Sequence, residues 1–170
     1  VMEQHRYKEY AKIMLSSLPK LPSNRPVHMF GCGHPMLFPM SIALGADLFD
    51  SAAYALFARD GRLLTPWGTE KIANLVDWPV TTPSIASLTP EEVRQMDGKE
   101  RTKILSKYNL EVTLAELARC KQAVRDGTIW RMAERRSHQH PALREAFLWL
   151  ITNPSLGQIS NFSKDEMILV

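Results

Sequence analysis

No run of this 170-residue chain approaches the ~18 apolar residues that a membrane-spanning helix needs. The longest apolar stretches, Met36–Ala46 and Ala52–Ala58, are far shorter, so no membrane partner is expected. The first twenty residues are mixed and charged, with no apolar core before a small-residue cleavage site, which argues against a secretory signal. Cysteine is scarce: Cys32 and Cys120 stand alone and far apart. Two such residues fit reduced thiols of a cytosolic protein better than a disulfide framework, and they cannot build a four-cysteine metal knot. The five histidines show no metal-ligand spacing with them. Internal repeats and low-complexity tracts are also missing. The charge excess is small, +3, which permits a polyanionic partner without requiring one.

What is present is an ordinary globular composition, 45% hydrophobic and 23% charged. Residue 1 is Val rather than Met, so the chain is expected to be a fragment of a longer protein. The spacing of Tyr10, Ile13, Met14 and Leu18 predicts a helix over 2–18, and Pro19, Pro22 and Pro26 enforce a loop after it. A short strand is predicted at Val27–Phe30, a buried helix at Met36–Leu44 ending on Gly45, and a second strand at Asp47–Asp50. Helix, strand, helix, strand with short links is the grammar of a parallel α/β fold. Thr65-Pro66-Trp67-Gly68 reads as a turn, 70–76 as a short helix and 78–88 as irregular chain. Thr89-Pro90-Glu91-Glu92 is a helix start, with Thr as N-cap and Pro at the first position. Thr113-Leu114-Ala115-Glu116 has the same form and predicts a long helix from there to about Ser137, followed by another from Pro141 to about Ile151.

In barrels and open α/β sheets, ligands bind at the carboxyl ends of the strands. Here those ends carry Gly31-Cys32-Gly33 and Asp50. The glycines either let a ligand approach the backbone or serve a tight turn alone. Asp50 is placed as a nucleophile or general base, or as the N-cap of the next helix, which is the commoner use. Arg59 and Arg62 flank an Asp-Gly turn, suited to phosphate or simply solvated. Arg119, Lys121, Arg125, Arg131, Arg135 and Arg136 crowd one predicted helix. They form either a face for RNA phosphates or a solvated face paired with Glu116, Asp126 and Glu134.

Two segments go further. PVHMFGCGHPM over Pro26–Met36 and ALGADLFDSAAYALFARDGR over Ala43–Arg62 resemble the archaeal-type tRNA-guanine transglycosylases, also called archaeosine tRNA-ribosyltransferases. The likeness continues more loosely through Thr89–Glu92, Met96-Asp97, Asn109-Leu110, Lys121–Gly127 and His140–Leu143, covering about residues 1–150. The resemblance implies the C-terminal part of a TIM (β/α)8 barrel over 1–76 and a mainly helical appendage over 77–170. It implies an enzyme that exchanges a guanine in the tRNA D-arm for a 7-deazaguanine precursor of archaeosine. Asp50 would be the nucleophile that joins the ribose covalently. Phe30, Gly31 and Gly33 would bind the base, with Phe30 stacked on it, and Arg59 and Arg62 would meet the RNA backbone.

The implied partners are tRNA, the 7-deazaguanine base, the earlier barrel strands and RNA-binding domains beyond residue 170, with a homodimer admitted and no cofactor. The family carries Cys-x-Cys-x-x-Cys and a later His for zinc. The matching positions here hold Val80, Thr82, Ile85 and Tyr108, so no metal is expected. That departure leaves two alternatives: a paralogue of the archaeosine synthase type acting on the inserted base, or a non-catalytic tRNA-binding subunit.

Overall fold

The computed structural model describes residues 4–158. Its first helix, α1, spans Tyr7–Ser17 and buries Tyr7, Tyr10, Ala11, Met14 and Leu15. That stripe repeats at three and four residues, the period of one helix face. It lies a step from the predicted one: Ile13 is exposed, residues 4–6 are not helical, and residues 2 and 3 lie outside the described residues. After the proline-rich loop, β1 (His28–Phe30) pairs in parallel with β2 (Leu48–Asp50). The connection is a short 3-10 turn, Pro35–Leu37, running into α2, Phe38–Ala43. This is the expected strand-helix-strand unit. The described fold is mixed α/β and mostly helical, and its two parallel strands alone do not make a barrel.

α3 (Ala53–Arg59) follows β2. The segment predicted as a helix at 70–76 is different. Gly68–Lys71 is β4, the partner of β3 (Arg62–Thr65) in an antiparallel hairpin, and only Ile72–Asn74 makes a 3-10 turn. The two-residue link Pro66-Trp67 explains the outcome. Thr65 Oγ accepts from the Trp67 N–H at 3.3 Å and donates to the Gly68 carbonyl at 3.0 Å, closing the hairpin locally. Pairing across the hairpin then overrides the local helix preference of Glu70 and Lys71.

α4 (Pro90–Gln95) begins as predicted: Thr89 Oγ accepts from the Glu92 N–H, and the Glu92 carboxylate accepts from the Thr89 N–H. The second capping box does not form. α5 runs unbroken over Gly98–Arg125, capped by Asp97, whose carboxylate accepts from Lys99 and Glu100. Thr113 lies inside it and donates to the Asn109 carbonyl four residues back, at 2.7 Å. The helix stops at Gly127, whose φ of 68° suits only a residue without Cβ strain. Gly127 N–H reaches the Val124 carbonyl and Thr128 N–H the Ala123 carbonyl, the paired closure of a left-handed helix end. α6 (Ile129–Ser137) and α7 (Pro141–Ile151) follow, and a 3-10 turn, Pro154–Gln158, completes the described chain.

Two apolar clusters hold these elements. One joins α1, α2, α6 and α7 through Tyr7, Met14, Leu37, Leu44, Phe147 and Leu150. The other gathers the hairpin, α4 and α5 around Leu63, Ile85, Val93, Leu105 and Tyr108. Asn109 pins the hairpin to α5. Its amide oxygen accepts from Leu64 N–H at 2.7 Å, and its nitrogen donates to the Tyr54 and Arg62 carbonyls at 3.0 and 3.1 Å. Among the described residues no helix is long and apolar enough to cross a membrane.

Candidate active site at the strand ends

Pairing β1 with β2 sets Phe30 directly beside Asp50. Side chains alternate along a strand, and register partners share a face. Met29 and Phe49 turn inward, where Phe49 packs on Phe38 at 4.8 Å between ring centroids. His28, Phe30, Leu48 and Asp50 therefore share the outer face, and Phe30 is 84% exposed. An aromatic ring and a carboxylate thus stand side by side at the carboxyl end of a parallel pair.

The cap reading of Asp50 does not hold. The N-cap of α3 is Ala52, and the Ser51 hydroxyl accepts from the Ala53 N–H at 3.0 Å. Asp50 is left at the strand end with its carboxylate outside the helix. The two glycines serve different needs. Gly31 has φ 71°, a conformation that side chains resist, with open space where a Cβ would stand. At Gly33 a Cβ would lie 2.0 Å from Ser51 Cβ and 2.2 Å from Ser51 Oγ. The bare backbone of Gly33 lets the turn after β1 rest on the residue that follows Asp50.

Arg59 ends α3, exposed. Seven helical residues span about 10 Å, so it stands roughly that far from the strand ends. Arg62 pairs with Asp60 at 2.7 Å, and its guanidinium lies 4.2 Å from the Phe57 ring centre. The basic run predicted for one helix face is divided between α5 and α6, and part of it turns inward. Arg136 and Arg119 both bind Glu116, which is fully buried.

Neither thiol is a candidate nucleophile. Cys32 is buried against Tyr10, and burial pushes it up. Cys120 is pushed up to about 12 by burial and by the Glu116 charge.

The positions that the resemblance aligns with zinc ligands, Val80, Thr82, Ile85 and Tyr108, lie in or beside one apolar cluster. Ile85 and Tyr108 are fully buried in the second cluster, Val80 packs against it, Thr82 is buried and Trp78 stacks on Tyr108 at 6.0 Å. Burial, then the Glu70 charge, hold the Tyr108 hydroxyl far above its ordinary range, so it stays protonated. An aliphatic pair, a threonine and a neutral phenol do not fit zinc. Among the described residues no group of three or more His, Cys, Asp or Glu is placed to hold a metal.

One feature was missed at the level of sequence. A cleft of about 580 Å³ opens between the start of α1, the turn after β1, the hairpin and the start of α7. Two histidines on its wall, His34 and His140, each precede a proline and each accept the N–H two residues on, at 3.2 Å. The repeated His-Pro pair was the legible sign.

The comparisons bear on this geometry. A family model described as queuine tRNA-ribosyltransferase matches residues 1–142. The chain is 50% identical over 150 residues to the tRNA-guanine(15) transglycosylase of Methanocaldococcus jannaschii, covering 86% of the chain and 23% of that protein. It is 47% identical over 150 residues to that of Methanococcus aeolicus, covering 86% and 23%. With that of Thermococcus onnurineus it shares 44% over 151 residues, covering 89% and 26%. The chain spans about a quarter of the length of these relatives.

Proposed function

From the premise that the chain belongs to the queuine tRNA-ribosyltransferase family, we propose that it contributes the nucleophile and one wall of the base site to an enzyme that exchanges a guanine of tRNA. The names of its relatives point to position 15. The chain would act as the last strands of a TIM barrel, residues 1–76, with 77–170 as the appended segment. Strands supplied by the rest of such a protein would cover the outer face of β1 and β2. A cytoplasmic tRNA and a 7-deazaguanine base are the substrates this reading requires.

The observation that carries the proposal is the pairing of Phe30 with Asp50 on one exposed face, with Ser51 rather than Asp50 accepting from the first N–H of α3. In the chemistry that follows, a carboxylate oxygen of Asp50 attacks the ribose anomeric carbon. The bond from that carbon to guanine breaks, and the base leaves with the electron pair and takes up a proton. The incoming 7-deazaguanine gives up its ring N–H proton and attacks the same carbon, and the Asp50 carboxylate departs unchanged. Phe30 stacks on the base, Gly31 and Gly33 keep the approach open, and Arg59 and Arg62 lie where neighbouring phosphates would pass.

Zinc has no part in this reading. The packed Val80, Ile85 and Tyr108 favour the second reading, an archaeosine synthase-type paralogue, in which the same pocket holds an already inserted base.

The test is trapping of a covalent tRNA adduct by a protein that carries the complementary barrel strands together with this chain. Asp50→Asn should abolish the denaturation-resistant adduct and leave tRNA binding intact. An adduct formed by the Asn variant removes Asp50 from the mechanism. The 170-residue chain alone should not incorporate labelled guanine, since the site draws on several strands.

A further inference from the structure

We propose that the cleft bounded by α1, the turn after β1, the β3–β4 hairpin and α7 binds one nucleotide of a nucleic-acid strand. Its rings would stack on the base and its nitrogen donors would hold the phosphate. At about 580 Å³ the cleft is of ligand-site size.

Its hydrogen-bonding sense is set from within. His34 and His140 accept backbone N–H bonds at Nδ1, so each carries its proton on Nε2. His34 Nε2 donates to Thr69 Oγ at 3.2 Å, which frees the Thr69 hydroxyl hydrogen for a ligand. Burial, then the His5 imidazole, hold His34 down to about 4, so its donor remains a neutral ring N–H at physiological pH.

The charges point the same way. Arg62 and Lys71 are direct partners across the hairpin, share a face and both line the cleft. Like charges so placed destabilise a hairpin, and Asp60 offsets only the arginine. Glu70 is the one carboxylate of the described lining. An anion between Arg62 and Lys71 would relieve the remaining repulsion.

The rings favour a base over a bare anion. His5 and His140 stack in near-parallel at 4.2 Å and 19°, and Tyr7 stands edge-on to both. Trp67 is 39% exposed at the hairpin tip. His5 is held at φ 50°, the one non-glycine residue with positive φ among the described residues. Such a conformation persists only where the surroundings fix it, and it concentrates at binding sites.

The cleft also adjoins the strand ends. His34 follows Gly33, which rests on Ser51, next to Asp50. A nucleotide held here would flank one whose base reaches Phe30. That the strand is RNA rests on the transglycosylase reading; the chemistry of the cleft does not.

The test titrates the chain with adenosine 5′-monophosphate, a single-stranded RNA trinucleotide, inorganic phosphate and a glutamate tetrapeptide. Calorimetry and amide chemical shifts report binding. Both nucleotide probes should shift the amides of residues 67–71 and 139–140, and the trinucleotide should bind more tightly. Trp67→Ala should weaken nucleotide binding about fivefold or more. Lys71→Met should weaken it and lower the salt slope by about one. Lys99→Met, at the exposed start of α5 and outside the cleft lining, should change nothing. Trp67 and Lys71 are exposed, and unchanged melting of their variants confirms that the fold is kept.

Absence of saturable nucleotide binding overturns the proposal. So does equal binding of inorganic phosphate or the acidic peptide, or affinity unchanged in both variants. Equal affinity for mononucleotide and trinucleotide keeps the site and overturns the strand as its source. Asp50→Asn should leave this binding intact, so failure of base exchange and failure of the cleft are read separately.

Discussion

Replacing Arg136 by Ala tests the least expected feature of the helical half. Glu116 sits in the middle of α5 with its side chain fully buried. Its carboxylate accepts three bonds: from Arg136 Nε at 2.7 Å, Arg136 Nη2 at 3.1 Å and Arg119 Nη1 at 3.0 Å. Arg136 supplies two of the three and comes from α6, so it also ties the two helices together. Without it, Oε1 has no donor and a buried charge keeps only Arg119, whose side chain is 52% exposed.

Breaking a buried pair by removing one partner costs about 3–5 kcal/mol. Losing a half-exposed partner costs about 1 kcal/mol or less. In urea unfolding at neutral pH, Arg136→Ala should therefore lose about 4 kcal/mol and Arg119→Ala under about 1. For a chain of this size the first corresponds to roughly 8–16 °C in melting temperature. The double variant Glu116→Leu/Arg136→Met should recover most of the loss, because it removes both charges and leaves apolar volume. If Arg136→Ala costs no more than Arg119→Ala with unchanged urea slope, the bridge contributes nothing beyond a surface pair and the reasoning fails.

The remaining predictions concern the strand ends, the cleft and the cluster around Tyr108. Gly33→Ala should lower melting and disturb the β1 and β2 turns, and adding Ser51→Gly should restore part of the loss by removing the atoms 2.0 and 2.2 Å away; no restoration means the contact does not matter. His34 has a folded pKa of about 4 against an ordinary 6.5. Between those values the unfolded chain binds more protons, so stability is full above about 6.5 and falls as pH drops toward about 4, by roughly 3 kcal/mol in total. A His34→Gln variant should show a shallower decline over that window, and parallel curves for the two proteins would refute the assignment. Elemental analysis and melting with a strong chelator should show neither stoichiometric zinc nor a drop in melting temperature. Either would mean that the ligands lie elsewhere than Val80, Thr82, Ile85 and Tyr108.

The residues that were legible in the sequence are those whose signals are local. Thr89 and Glu92 cap α4 because both partners lie within four residues, and the short parallel strands sit where an apolar run meets a glycine or aspartate. Thr113 and Glu116 carry the same local signal as Thr89 and Glu92, yet their outcome is decided elsewhere. Asp97 has already started the helix and Arg136, twenty residues away, claims the carboxylate. The hairpin was hidden for a similar reason, since its second strand is fixed by pairing to Arg62–Thr65, which Asn109 of α5 holds in turn. The candidate site divides along the same line. Asp50 was a candidate by its place at a strand end and by family likeness, and Phe30 by family likeness alone. That Gly33 is also needed for close approach of the turn to Ser51 shows only in space. The cleft needed four segments to meet, and only its paired His-Pro turns left a trace in the chain. Residues that act through distant partners are thus the ones a linear reading misplaces.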